Sequence, residues 1–341
     1  MRRLLLVYTG GTIGMVQDLK SGTLKPFQFS LLTQQVPELE RFNLDIQVHA
    51  FEVPMDSSNM HPGVWVQLAE IIKSKYKDFD GFVILHGSDT MAYTASALSF
   101  MLEHLAKPVI LTGAQLPIGV LRTDGRENLI TAIEIAAAVR KDGKPRVPEV
   151  AIYFEFQLYR GNRTFKYNSE HFDAFKSPNY PILAKAGVHI EYNDAAIAKV
   201  GKSPLVVHTL LSDEIFILHL FPGISEKMMR KMLDAAQPRA IILHTYGAGN
   251  APTQLWFLGF LKEWTKKKTI LFNVTQCLEG KVVPGKYETS RHLKEMGVVG
   301  GEDITLEAAI TKLMYVLGKK LSIEKTMAML KKNLRGEITL S

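Results

Sequence analysis

Three polar segments carry the side chains best suited to chemistry. Thr9-Gly10-Gly11-Thr12-Ile13-Gly14 follows an apolar, β-branched run. Its glycines permit tight turns and close approach of backbone N–H groups to an anion or oxyanion. A phosphate loop is excluded on detail, since no Gly-Lys-Ser/Thr is present and the spacing is not Gly-x-Gly-x-x-Gly. His86-Gly87-Ser88-Asp89-Thr90 closes a second apolar run and opens a helical pattern. One of its three polar side chains is expected to cap that helix. The other two face outward, with Asp89 fit to hold an ammonium and Ser88 fit to position a proton. Asp56-Ser57-Ser58-Asn59 precedes Pro62, and part of its polarity is expected as capping. Lys166, read alone, is a surface lysine. His86, His208 and His244 read as hydrogen-bonded sheet histidines, because no His/Asp/Glu spacing suits a metal. Cys277 reads as an inert, buried thiol. These parts imply a hydroxyl-based nucleophilic site for a small charged metabolite, with the reaction class open.

The elements that must position these residues follow from hydrophobic periodicity. Apolar runs at 4–8, 46–53, 82–86, 109–112 and 150–154 alternate with helical patterns at 64–76, 91–105 and 128–140. Met91, Ala95, Leu98, Leu102 and Leu105 fall on one helix face. Such alternation requires a parallel, doubly wound α/β sheet, which binds ligands beyond the carboxyl ends of its strands. Residues 176–203 carry Pro178, Pro181, Gly187 and Gly201, a connector pattern. Strands are then expected at 205–210, 215–220, 240–245 and 270–274, with helices at 226–236, 252–267, 306–317 and 323–334. The expected organisation is a larger domain over 1–185, a linker over 186–204 and a smaller α/β domain over 205–341.

The 341 residues include 46% hydrophobic and 22% charged residues, which exclude disorder and coiled coil. One cysteine excludes an intrachain disulfide. The net charge of +7 comes without a long basic run, so it reads as a solvated surface rather than a nucleic-acid site. The apolar start ends at Tyr8, short of the ~7–15 residues of an export segment. No stretch approaches the ~20 residues of a membrane span. The expected address is cytoplasmic, with no membrane and no nucleic-acid partner.

Read together, these segments resemble the bacterial-type L-asparaginases, most closely the cytoplasmic type I branch of the asparaginase/glutaminase family. Two motifs carry most of the likeness, Tyr8-Thr9-Gly10-Gly11-Thr12-Ile13-Gly14 and Leu85-His86-Gly87-Ser88-Asp89-Thr90-Met91-Ala92. Thr112-Gly113-Ala114-Gln115, Tyr159-Arg160-Gly161-Asn162-Arg163, Tyr246-Gly247-Ala248-Gly249-Asn250 and Asn333-Leu334-Arg335-Gly336-Glu337 add to it in order along the chain. The resemblance implies an asparaginase/glutaminase-like fold and an amidohydrolase that converts L-asparagine to L-aspartate and ammonia without metal or cofactor. By resemblance Thr12 is the nucleophile, and Ser88, Asp89 and Lys166 form a proton relay. Asp89 also binds the substrate ammonium. Asp56, Ser57 and Ser58 line the α-carboxylate and α-amino side, and backbone around Thr12, Ser88 and Ala114 supplies oxyanion and amide contacts. It further implies a homodimer or homotetramer, with Asn250 and Tyr287 near a neighbour's site.

The chain departs from the family pattern in four places. Ser88 stands where threonine is usual, losing the methyl that restricts the rotamer. The loop over residues 20–26 has no tyrosine; Thr23 is its nearest match, and Tyr287 is a candidate substitute across a subunit interface. His244 and Phe165 replace an arginine and a threonine of the type I regulatory site, which implies little homotropic cooperativity. The competing readings are a glutaminase-asparaginase of broader specificity, a tRNA-dependent amidotransferase subunit, a non-catalytic amino-acid-binding or regulatory protein, and a nucleotide-binding protein.

Overall fold

The computed structural model describes residues 1–17, 24–26, 36–201, 203–283, 285 and 288–340. The chain divides into two compact units, Met1–Thr209 and Leu210–Ser341.

The first unit is built on an eight-stranded mixed sheet. Its strands are β1 (Arg2–Gly10), β2 (Leu44–Met55), β3 (Gly81–Leu85), β4 (Val109–Thr112), β5 (Val150–Phe154), β6 (Gln157–Arg160), β7 (Ala184–Ala186) and β8 (Ile190–Tyr192). The spatial order is β8-β7-β6-β5-β4-β3-β1-β2. The five strands from β2 to β5 run parallel, while β6, β7 and β8 are added antiparallel. Helices α1 (Pro62–Lys75), α2 (Met91–Met101) and α3 (Gly125–Ala137) form the parallel connections. Leu4, Leu6 and Tyr8 of β1 join Val83 and Leu85 of β3 and Leu129, Ile133 and Ala136 of α3 in one apolar cluster. Leu5, Val7, Phe82 and Ile84 are equally buried, so both faces of the centre are covered. This explains why the central strands read as continuous apolar runs rather than as alternating ones. Among the parallel strands the order is 2-1-3-4-5, which reverses between β1 and β3. The crevice beyond that reversal is where such sheets take ligands.

Residues 186–204, expected as a linker, are partly ordered into this unit. The β7–β8 hairpin extends the sheet edge, and buried Arg160 and Glu149 hold the segment after it. Arg160 Nη2 donates to the Ala196 carbonyl at 2.9 Å, and Ala198 N–H donates to Glu149 Oε1 at 2.6 Å. Helix α2 ends at Met101 rather than at 105, because Leu102–Glu103 leaves the helix to pair with Val206–Val207. That pairing is all that forms of the strand expected at 205–210.

The second unit holds a parallel sheet in sequential order, β9 (Ile215–His219), β10 (Ala240–Thr245), β11 (Ile270–Thr275) and β12 (Val299–Gly300). Helices α4 (Glu226–Ala236), α5 (Leu255–Lys266), α6 (Glu288–Glu295), α7 (Leu306–Gly318) and α8 (Ile323–Leu330) accompany it. Phe257, Phe260, Leu261 and Trp264 of α5 pack with Leu218, Ile241 and Leu271 of the strands. Ser225, Thr305 and Ser322 cap α4, α7 and α8 through their hydroxyls. The fold class is therefore α/β, a larger unit with a parallel core and a smaller unit with its own parallel sheet.

Candidate active site

The loops after β1, β3 and β2 meet at the reversal point, and the loop after β4 reaches Ser88 through Gln115. The first makes a 3-10 turn over Thr12–Gly14, entered through Gly11 at φ 87° and ψ 169°, a conformation essentially reserved for glycine. Two side chains brace it. Tyr8 donates from its hydroxyl to the Gly14 carbonyl at 3.2 Å, and burial pushes that phenol up to about 12, so it remains a donor. Thr9 donates to the Leu85 carbonyl at 2.9 Å, so its hydroxyl is committed to joining β1 to β3. Thr12 is half-buried, and its hydroxyl has no hydrogen-bond partner among the described residues. Of the two threonines in the motif, Thr9 is committed and Thr12 is left without a side-chain hydrogen bond among the described residues.

The second loop lies against the first. A Cβ placed on Gly11 would stand 2.5 Å from Gly87 N, and one on Gly87 would stand 2.5 Å from Ser57 Oγ. Three loops thus meet at bare backbone. Beyond Gly87, Lys166 Nζ donates to Ser88 Oγ at 2.9 Å and to Asp89 Oδ1 at 2.6 Å. Lys166 lies in a short antiparallel pair, Phe165–Lys166 with Phe175–Lys176, which fixes the base of its side chain. None of Ser88, Asp89 or Thr90 caps α2. The expected capping role is not taken, because Ser88 and Asp89 turn to Lys166 and Thr90 donates to the Ser57 carbonyl at 2.7 Å.

His86 supports this loop from behind. It is fully buried, and desolvation pushes its imidazole down to about 4, so the ring is neutral at pH 7. Nδ1 lies 2.6 Å from the Gly87 carbonyl, which only accepts, so Nδ1 carries the proton. Nε2 then accepts from Thr94 Oγ1 at 2.9 Å, and Thr94 Oγ1 accepts from Trp65 Nε1 at 3.0 Å. This chain of bonds fixes the Gly87–Ser88 peptide.

Asp56 accepts from Ser58 N–H and Ser58 Oγ, both at 2.8 Å, and these bonds hold its carboxyl below the usual range. Ser57 is buried against Gly87, while Asp56 and Ser58 are exposed. Ala114 is buried just past the end of β4. Asn250 lies in the second unit, in a tight turn that its N–H closes onto the Tyr246 carbonyl at 2.8 Å. Thr23 and Tyr287 lie outside the described residues. Cys277 corrects the sequence reading: it is exposed, because β11 ends at Thr275 and Thr275 Oγ1 holds the Cys277 N–H in the turn that follows. His244 bonds His219 and the Thr275 carbonyl, as a sheet histidine.

Sequence reasoning passed over Gln115, whose amide oxygen lies 3.3 Å from Ser88 Oγ. Its signal in the sequence was its place in Thr112-Gly113-Ala114-Gln115, just past the end of β4, with no role attached to it there. Among the described residues, no group of three or more His, Cys, Asp or Glu is placed to hold a metal ion. No helix among them is long and apolar enough to cross a membrane.

The chain is similar to known proteins along nearly its whole length. Residues 3–198 match the family model for the asparaginase N-terminal domain, and residues 214–330 match that for the glutaminase/asparaginase C-terminal domain. L-asparaginase 1 of Escherichia coli K12 is 45% identical, with 99% of this chain and 98% of the relative covered. The 60 kDa lysophospholipase of Mus musculus is 40% identical over 99% of this chain, which spans 63% of that longer relative. The crystal structure of L-asparaginase I from Vibrio cholerae superposes with a TM-score of 0.90 at 40% identity, covering 99% of each chain. Two family models in order, together with likenesses that run from end to end, establish that the chain belongs to the asparaginase family.

Proposed function

We propose that this protein is an L-asparaginase, hydrolysing the side-chain amide of L-asparagine through an ester on Thr12. The observation that carries the reading is the Ser88–Lys166–Asp89 group, next to the loop whose Thr12 hydroxyl makes no hydrogen bond among the described residues. Full-length likeness to an enzyme named L-asparaginase 1 supports the same reading.

In the first half-reaction Thr12 Oγ attacks the amide carbon and the C–N bond breaks. The hydroxyl proton leaves on nitrogen as ammonia, and a β-aspartyl ester remains on Thr12. Water then attacks the ester carbon, its proton returns to Thr12 Oγ, and L-aspartate leaves. A threonine hydroxyl is a weak nucleophile until its proton is taken. The Lys166 ammonium beside the Ser88 hydroxyl favours the charge separation this requires. Asp89 uses Oδ1 on Lys166 and keeps its other oxygen for the substrate ammonium. Asp56, Ser57 and Ser58 take the α-carboxylate side, and backbone near Thr12, Ser88 and Ala114 receives the amide. Anchoring both α-groups sets reach: one extra methylene misplaces the amide, and misplacement of about 1 Å costs ~100-fold. Asparagine is therefore preferred over glutamine. A cytoplasmic location, a homodimer or homotetramer in which Asn250 approaches a neighbouring site, and hyperbolic kinetics go with this reading.

The test is ammonia release from asparagine and glutamine, with fatty-acid release from a lysophospholipid measured in parallel. Asparagine should be the favoured substrate, and Thr12→Ala should lower its turnover roughly 1,000-fold or more. Absence of amide hydrolysis, or a Thr12→Ala variant of full activity, defeats the proposal.

A further inference from the structure

The Ser88 hydroxyl makes two hydrogen bonds, and only one is to the ammonium of the relay. Lys166 Nζ donates to Ser88 Oγ at 2.9 Å, so the hydroxyl's single proton needs an acceptor elsewhere. It finds Gln115 Oε1 at 3.3 Å. Chemistry settles which end of that amide faces Ser88. Gln115 Nε2 lies 3.2 Å from the Ser169 carbonyl and 3.1 Å from the His171 carbonyl, and both groups only accept. The NH₂ must face them, which leaves the carbonyl oxygen for Ser88.

The backbone of Gln115 is held as firmly. Its N–H lies 3.1 and 2.9 Å from the two carboxylate oxygens of Asp124, and the Leu116 N–H lies 3.1 Å from Oδ1. Asp124 is buried, and Asn128 Nδ2 donates both to its Oδ2 at 3.2 Å and to the Gly113 carbonyl at 3.0 Å. A rigid mount this elaborate delivers one amide oxygen to one hydroxyl.

We propose that Gln115 is a positioning residue that locks the Ser88 hydroxyl in the rotamer that faces Lys166. The inference rests on the reading of Ser88 as part of the relay. Its physical basis is the serine itself. Without a γ-methyl, Ser88 has three staggered χ1 wells open to it, whereas a β-branched threonine is restricted. The bond to Gln115 supplies from outside the restriction that a methyl would supply from within. With Gln115 gone, the hydroxyl is free to turn away from Lys166 or to donate to Asp89, and either change misdirects the relay proton.

The test is a four-protein cycle: wild type, Gln115→Met, Ser88→Thr and the double variant. Gln115→Met keeps side-chain length and removes the amide. With Ser88 in place, kcat for asparagine should fall about tenfold, the coupling expected of residues in one network, while KM moves less than about threefold. In the Ser88→Thr background the same replacement should cost less than about threefold, because the methyl restores the rotamer. A role limited to tethering residues 168–171 predicts equal losses in both backgrounds, and equal losses overturn the inference, as does no loss in either. A crystal structure of Gln115→Met gives a readout independent of turnover: Ser88 Oγ should leave Lys166 or spread over rotamers, and a single unchanged rotamer overturns the inference. Wild-type protein without asparaginase activity would overturn the proposed function instead, leaving the rotamer measurement to decide Gln115.

Discussion

Lys166 and Asp89 in the first unit are 2.6 Å apart, and so are Lys312 and Glu337 in the second. By distance the two pairs are the same interaction. Their surroundings are opposite. Lys312 and Glu337 are 0% exposed, and all three ammonium protons are spoken for, by Glu337 Oε1 and by the carbonyls of Leu330 at 2.8 Å and Lys332 at 2.7 Å. Glu337 in turn accepts the Leu334 and Arg335 N–H groups. Burial pulls the Lys312 ammonium below its ordinary range, and the Glu337 charge opposes that pull. At Lys166 the described residues supply two acceptors for three protons, and the Asp89 side chain is 64% exposed. The filled, dry pair secures residues 330–337, whereas the pair with an ammonium proton to spare among the described residues has capacity left for a ligand. What separates them is spare hydrogen-bonding capacity, not separation.

The sharpest way to break this contrast is to remove each lysine in turn. Lys166→Met should abolish most ammonia release from asparagine, by roughly 1,000-fold if the relay acts as a unit. Its unfolding free energy should stay within about 1 kcal/mol of wild type, since a half-exposed pair contributes little. Lys312→Met should do the reverse, costing about 3–5 kcal/mol by stranding the Glu337 charge in a dry site. The folded fraction should keep its turnover per molecule. Urea denaturation beside steady-state rates decides the matter, and equal destabilisation by both changes would erase the distinction.

A smaller effect sharpens the second half of the contrast. Glu337→Gln added to Lys312→Met removes the stranded charge yet leaves an amide oxygen for the Leu334 and Arg335 N–H groups. Its NH₂ can take the carbonyls that Lys312 releases. Most of the lost stability should return, because the cost of a broken buried pair lies chiefly in the uncompensated charge. If the double variant is no more stable than Lys312→Met in the same urea titration, the charge is not what Glu337 contributes, and the pair is not the closed electrostatic unit described above.

How much of this was legible in the chain follows from where each determinant lies. The parallel strands and their helices were readable because each is a local pattern, and the site loops followed from the rule that strand ends bind ligands. The antiparallel edge was not. The turn joining β5 to β6 places Glu155 and Phe156 at φ 44° and 63°, where Asn-Gly would have announced a hairpin. The end of α2 depends on Val206–Val207, about a hundred residues away. Gln115 escaped for a similar reason, since its orientation comes from carbonyls at Ser169 and His171 that no spacing reveals. Lys166 alone reads as a surface lysine; it took the folded β3 loop to give it partners.

His86 tests whether closure by itself marks a structural group, because it is a closed site that touches the relay loop. Its imidazole is held near 4 in the folded protein against about 6.5 when unfolded. Between those values the unfolded chain binds the extra proton and the folded one does not. Stability is therefore full above about pH 6.5 and falls as pH drops toward 4, by roughly 3 kcal/mol for this one group. His86→Asn removes the titration while keeping an N–H donor near the Gly87 carbonyl. Its unfolding free energy should fall less steeply over pH 6.5 to 4 than that of wild type, with the two curves parallel above pH 7. Other titrating groups are common to both proteins and cancel in the difference. If the curves stay parallel through pH 5, His86 is not the buried neutral ring that the Trp65–Thr94–His86–Gly87 chain requires, and the support assigned to the Ser88 loop must come from elsewhere.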